Sequence, residues 1–292
     1  MDDKTLDVEF RVVLLDNGSV SPESVLQSRE LASALAIRIG RQVDLVSVSH
    51  SDRIPIEELG GIRAATWKSY LDARNEIGVR SLAILPLFFG PSYGLKKARQ
   101  MGKHECGVDA SLRVEWADCL VSESCGILTE ALAESTIRVL DTEELENNGR
   151  ESEILPTVLL VDHGSPFPEV TECRDFMARA LAERLKVHVG KVVACSMERR
   201  EGDRYNFNDP LLEMALEELS ALGDGAIVLS QLFLFPGRHA GAGGDIERIC
   251  NDSRWVKEGG RIVRTDLLGS HPRMIDLLEA RWKSILERTR SL

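Results

Sequence analysis

The sequence predicts an α/β protein of two tandem domains, each a parallel sheet with helices on both faces. Three observations lead there. Short apolar runs alternate with longer segments of helical periodicity, and the runs are as uniformly apolar as strands buried on both faces must be. The motifs of the first half return in the same order in the second. A single acidic segment, nearly free of apolar residues, separates the halves.

The repeat is readable by offset. Asp16-Asn17-Gly18-Ser19 lies 146 positions before Asp162-His163-Gly164-Ser165. LPLFF, from Leu85 to Phe89, lies 145 before SQLFL, from Ser230 to Leu234. ADCL, from Ala117, lies 148 before TDLL, from Thr265. Ordered matches at nearly constant offset indicate an internal duplication.

The elements follow in turn. First-half strands are expected near Arg11–Leu15, Val43–Val48, Ser81–Leu85 and Leu112–Glu115, where β-branched and leucine residues cluster. Second-half strands are expected near Thr157–Val161, Lys191–Cys195, Ala226–Leu229 and Arg261–Thr265. Helices fall between them near Pro168–Val187, Pro210–Leu222 and Gly241–Asn251, and a last one follows Pro272. DTEELENNGRESE, from Asp141, reads as linker. The expected domains are therefore 1–140 and 156–292, joined by 141–155.

Composition narrows the function classes. The chain has 292 residues, 43% hydrophobic and 28% charged, which suits a globular protein with sizeable cores. Its net charge of −11 argues against non-specific nucleic-acid binding. No apolar run is long enough to span a bilayer, and the acidic MDDKTLDVEF start is unlike a signal peptide. A cytoplasmic protein without membrane or nucleic-acid partners is expected. The six cysteines form no CxxC pair and no zinc spacing with histidine, so most of them read as small buried hydrophobes. The glycine-rich 237–244 stretch lacks the Lys-Ser/Thr of a phosphate-binding loop.

Ligands of open α/β sheets bind beyond the carboxyl ends of the strands. Three second-half residues fall there: His163 after the first strand, Glu198 after the second and His239 after the third. Taken singly, His163 is a strand-end histidine bonded to backbone, Glu198 a solvated acid of the ERRE run, and His239 a loop residue between glycines. At three successive strand ends they make a site instead. Two imidazoles and a carboxylate with open positions suit iron, cobalt, nickel or zinc.

These residues also carry a resemblance. VDHGSPFP, ACSME and LFLFPGRHAGAGGDI, with the closing LLGSHP, resemble the CbiX/CbiK-type sirohydrochlorin chelatases of the ferrochelatase-like superfamily. The resemblance covers nearly all of 157–292 and, in degenerate form, 10–139. It implies a tandem two-domain form whose halves are related by pseudo-twofold symmetry. It implies insertion of cobalt, iron or nickel into sirohydrochlorin, with His163 and His239 as metal ligands and proton acceptors and Glu198 as a further ligand. The metal is substrate, and no redox cofactor or nucleotide is required. The partner is an anionic tetrapyrrole, held by Arg238, Ser165 and Gly237, with Asn17 and Tyr93 from the first half. Arg199, Arg200, Arg204, Lys96, Lys97 and Arg99 are further cations that could meet its carboxylates.

The first half departs from the pattern. Asn17 stands for the first histidine, Gly90–Gly94 (GPSYG) replaces the FPGRH stretch, and His50 falls near the Glu198 position. Amides and a phenol are poor ligands for these metals. The first half is therefore expected to shape the pocket, and the second to hold the chemistry. Two other readings stand beside this one: a metal or tetrapyrrole carrier, and a ferrochelatase acting on another porphyrin. A monomer or homodimer suits all three.

Overall fold

Each of the eight apolar runs read as a strand forms one, and every strand pairing is parallel. The structure, a computed structural model, describes residues 10–141, 155–222 and 226–290, apart from 75, 77 and 123–125. Most of the linker and Cys125 lie outside the described residues. Among the described residues, no helix is long and apolar enough to cross a membrane.

The chain divides into two compact units, Met1–Leu120 with Ile275–Leu292, and Val121–Met274. In the first unit, β1 (Arg11–Asp16), β2 (Val43–Ser47), β4 (Ser81–Pro86) and β5 (Arg113–Trp116) join a two-residue strand, β3 (Ala65–Thr66). Their order is β3-β2-β1-β4-β5. β3 was not legible in the sequence: two residues carry no alternation.

Alternate strand residues face opposite sides of the sheet. Val13, Leu15, Leu82 and Ile84 therefore share a core with α2 (Trp67–Ala73) and α3 (Tyr93–Val108), where Trp67 is fully buried and donates Nε1–H to Ala98 O at 2.9 Å. Helix α1 (Pro22–Ile39) begins where Ser21 accepts from Ser24 N and ends at Gly40 in the left-handed conformation, φ 64°.

In the second unit β6 (Thr157–Asp162), β7 (Lys191–Ser196), β8 (Ile227–Gln231) and β9 (Ile262–Arg264) run in the order β7-β6-β8-β9. Leu159, Val161, Ile227 and Leu229 bury against α6 (Leu212–Leu222), α7 (Asp245–Asp252) and α8 (Arg254–Lys257). The opposite face carries α4 (Gly126–Leu140), whose Thr136 hydroxyl reaches Ser230 Oγ at 3.3 Å. Beside α4 runs α5 (Pro168–Leu185), tied to it by Arg184 Nε–Glu130 Oε1 at 2.8 Å.

The compact units are thus not the two halves expected from the linker. Helix α4, read as the end of the first domain, belongs to the second unit. The closing helix α9 (Arg273–Arg290), read as the end of the second, belongs mostly to the first. There Trp282 meets Phe10 edge-on at 6.3 Å, Arg281 donates to Leu120 O at 3.1 Å and Arg288 to Trp116 O at 2.7 Å. The acidic composition of 141–155 does not say on which sheet the helix before it packs.

Candidate metal centre

The register of the second sheet assembles the site. Asp162 pairs with Ser196 at the last rung between β6 and β7, and the ladder continues past it: Met197 N donates to Asp162 O at 2.8 Å and Glu198 N to His163 O at 3.2 Å. His163 and Glu198 therefore leave neighbouring strands side by side. β8 lies on the other flank of β6, so its following loop brings His239 to the same strand end.

The close pairing needs Gly164. Its φ is +89°, and a Cβ there would stand 1.9 Å from Glu198 O. Only a residue without a side chain allows both the left-handed turn and this approach. Gly18 repeats the feature in the first unit, with φ +91° and a Cβ that would meet Ser49 O at 1.7 Å. Ser49 thus occupies the place of Glu198, and His50, expected there, is one residue on, with φ 77°.

Below the His163 loop lies a buried polar network. Asp162 Oδ1 accepts from Ser196 Oγ at 2.6 Å and Gly164 N at 3.1 Å. Arg174, 2% exposed, donates to Ser196 Oγ at 2.6 Å and to Asn208 O at 2.8 Å. Asn208 closes the circuit, accepting from Ser165 N and donating to Ser165 O, each at 2.9 Å. Burial pushes the Asp162 carboxyl up, while Ser196, Arg174 and the Gly164 amide pull it back. The network holds the loop from beneath, so His163 rests on a rigid support.

Two of the three expected ligands meet, and Glu198 stands near one of them. His163 Nε2 is 3.2 Å from His239 Nε2, the rings meet edge to face at 82°, and Glu198 Oε1 is 3.7 Å from His163 Nε2. The other ring nitrogens are engaged: His163 Nδ1 lies 3.0 Å from Gly164 O and His239 Nδ1 lies 2.6 Å from Asp245 Oδ2. A carbonyl and an ionised carboxylate only accept, so both Nδ1 atoms donate and each neutral ring keeps its lone pair on Nε2. Two nitrogens 3.2 Å apart and each about 2.1 Å from one ion subtend about 100° at it. Among the described residues no group of three or more His, Cys, Asp or Glu side chains is placed to hold a metal ion, so the two imidazoles meet without a third ligand at hand.

The residues expected around the ligands divide. Arg238 is exposed beside His239, its Nε 3.7 Å from Asp245 Oδ2. Gly237 accepts from Gly241 N at 3.0 Å and shapes the loop. Ser165, expected to touch substrate, is buried instead, its hydroxyl accepting from Phe167 N at 3.1 Å, because the turn after Gly164 folds it inward. Arg199 is engaged by Asp209 at 2.7 Å, and Arg99 lies over the Trp116 ring at 5.4 Å. Asn17 and Tyr93 belong to the first unit, where Asn17 Oδ1 faces the opening turn of α3: a Cβ on Gly94 would come within 2.4 Å of it. Tyr93 is the first residue of that helix and is exposed.

Asp245 escaped the sequence reading. It opens α7, where a first-turn acid is ordinary helix chemistry, and only the fold of 237–244 brings it under the imidazole. Beside it, Met197, Glu198, Glu213, Asp245, Arg248 and Asp252 line a cavity of about 590 Å³.

The fold is a tandem α/β arrangement with a histidine pair at the strand ends of its second sheet. Residues 157–285 match the family model CbiX, so this part of the chain is similar to that family. Its fold is similar to that of SirB from Bacillus subtilis with Fe3+, at 15% identity and TM-score 0.71, covering 97% of this chain and 98% of the other. The sirohydrochlorin chelatase SirB from Bacillus subtilis subspecies spizizenii, in complex with cobalt, aligns at 13% identity and TM-score 0.67, over 97% and 98% of the two chains. CbiX, the terminal enzyme for biosynthesis of siroheme in denitrifying bacteria, aligns at 13% identity and TM-score 0.57, over 94% and 98%. No curated protein sequence matches the chain significantly.

Proposed function

We propose that this protein inserts a divalent metal, cobalt or iron and alternatively nickel, into sirohydrochlorin. The observation that carries the reading is the pair of Nε2 atoms 3.2 Å apart with both Nδ1 atoms engaged behind them. Two converging lone pairs repel each other unless a cation lies between them. The family and the shared fold with cobalt- and iron-bound SirB support the choice of ion and substrate.

In this reading His163 and His239 hold the ion, and Glu198 offsets part of its charge. An ion that must be handed on needs an incomplete cage, since a closed four-ligand shell describes a structural site. As the metal passes to the macrocycle, two pyrrole N–H protons leave, and the freed Nε2 lone pairs are placed to accept them. Exchange of M2+ for two protons leaves the charge balanced. Arg238 and the other exposed cations beside the site would meet the carboxylates.

The test is insertion followed by the absorbance of sirohydrochlorin, with cobalt, iron and nickel offered in turn to wild type, His163→Ala and His239→Ala. Turnover in wild type and its loss in both variants is expected. Normal turnover in the double variant would overturn the assignment, and binding without turnover in wild type would make the protein a carrier.

A further inference from the structure

We propose that Asp245 is a positioning residue: it locks the His239 ring so that Nε2, and not Nδ1, presents the lone pair to the metal. This rests on the metal-site reading above and assigns a role to a residue that does not touch the ion.

The loop carrying His239 has no regular structure to hold a ring in place, and backbone hydrogen bonds pin it. Gly241 N donates to Gly237 O at 3.0 Å, Asp245 N to Arg238 O at 3.2 Å and Ile246 N to His239 O at 3.1 Å. The fold-back is tight: a Cβ on Gly244 would stand 2.6 Å from His239 O. These contacts bring the first residue of α7 beneath the ring, where Asp245 Oδ2 receives Nδ1–H at 2.6 Å. The carboxylate's other oxygen is taken by Arg248, and Arg238 Nε stands 3.7 Å from Oδ2. That hydrogen bond from His239 is also the main reason the Asp245 carboxyl lies below its ordinary range.

The two histidines are therefore backed unequally. His163 leans on a neutral carbonyl of its own loop, while His239 leans on a charge. Without that charge nothing on the loop selects the His239 tautomer, and a ring with Nε2–H cannot ligate through the atom that faces His163. The first unit shows the two features missing together. Its helix α3 already begins at Tyr93, in the place that Asp245 holds at the start of α7, and Asn17 stands where His163 does. The imidazole and the carboxylate behind it are present in one half and absent from the other as a set.

The experiment uses the full chain as wild type, Asp245→Ala, Asp245→Asn and Asp245→Glu. Imidazole 15N NMR, at a pH where the rings are neutral, reads the His239 tautomer directly. Cobalt titration monitored by visible absorption reads affinity. Wild type should show Nδ1–H at His239. Asp245→Ala should shift the ring toward Nε2–H and bind cobalt about 10- to 100-fold more weakly, and Asp245→Asn should fall between. Asp245→Glu should restore tautomer and affinity in part, which a merely structural role would not do. An unchanged tautomer and cobalt affinity in both Asp245→Ala and Asp245→Asn would overturn the proposal. Failure of wild type to bind cobalt would instead overturn the metal-site reading, with the tautomer measurement still deciding the role of Asp245.

Discussion

Replacing Asp16 by asparagine tests how differently the two units treat the same buried carboxylate. Asp162 and Asp16 end the first strands of their sheets, 6% and 8% exposed. Asp162 is reached by Arg174 through Ser196; at the 146-residue offset (174 − 146 = 28) the first unit has Ser28, whose hydroxyl is spent on Ser24 O at 2.8 Å. Among the described residues Asp16 Oδ1 has no hydrogen-bond partner, and burial pushes the carboxyl from 3.8 up to about 6.

The folded value is the higher one, so the native state holds the proton more tightly than the unfolded chain. The penalty for carrying the charge is complete above pH 6 and is relieved as pH falls through about 6 toward 3.8. At 1.36 kcal/mol per pKa unit it comes to about 3 kcal/mol at pH 8, and about 1 kcal/mol remains at pH 4.5. Asp16→Asn removes the charge but leaves an amide N–H without an acceptor, a constant loss of about 1–3 kcal/mol. The pH-dependent part survives this subtraction. Urea unfolding of the full chain should therefore show Asp16→Asn faring about 2 kcal/mol better against wild type at pH 8 than at pH 4.5. An equal effect at both pH values would refute the reasoning, because it would mean Asp16 carries no desolvated charge.

Three further outcomes are expected. Gly164→Ala should cost more than about 2 kcal/mol in a thermal or urea melt and abolish tight cobalt binding, since the new methyl meets Glu198 O in a left-handed turn; a variant of wild-type stability would show that the turn tolerates a side chain. Glu198→Gln should weaken cobalt binding about 10- to 100-fold while leaving tetrapyrrole binding nearly unchanged, because the amide keeps the shape and loses the charge; equal cobalt dissociation constants would remove Glu198 from the site. Asn17→Ala should change insertion rate or substrate affinity only modestly beside His163→Ala, and an equally severe loss would end the division of labour between the units.

The strands, their parallel pairing and the duplication were legible in the sequence because each depends on local patterning. VLLVD and its first-half counterpart VVLLD can bury only as central strands, and DHGS or DNGS after them can only turn. The candidate ligands were legible for a related reason: histidine and glutamate at the carboxyl ends of three apolar strands have few reasons to be there together. Partnership across long separations was not. Nothing in the composition of α4 or α9 says that each belongs to the unit built mainly from the other half of the sequence, since an apolar helix face fits either sheet and the choice rests on shape. Ser165 looked open because it follows a strand-end histidine, but the turn at Gly164 buries it. Asp245 looked like a helix-start acid, because the contact that matters spans a loop whose path is set by backbone hydrogen bonds and a glycine too crowded for a Cβ. Residue type and period thus determined the elements and the chemistry on offer. Only the folded chain decided which nitrogen of His239 faces His163, because that choice is made by a 2.6 Å bond to a carboxylate held in place by the tertiary structure.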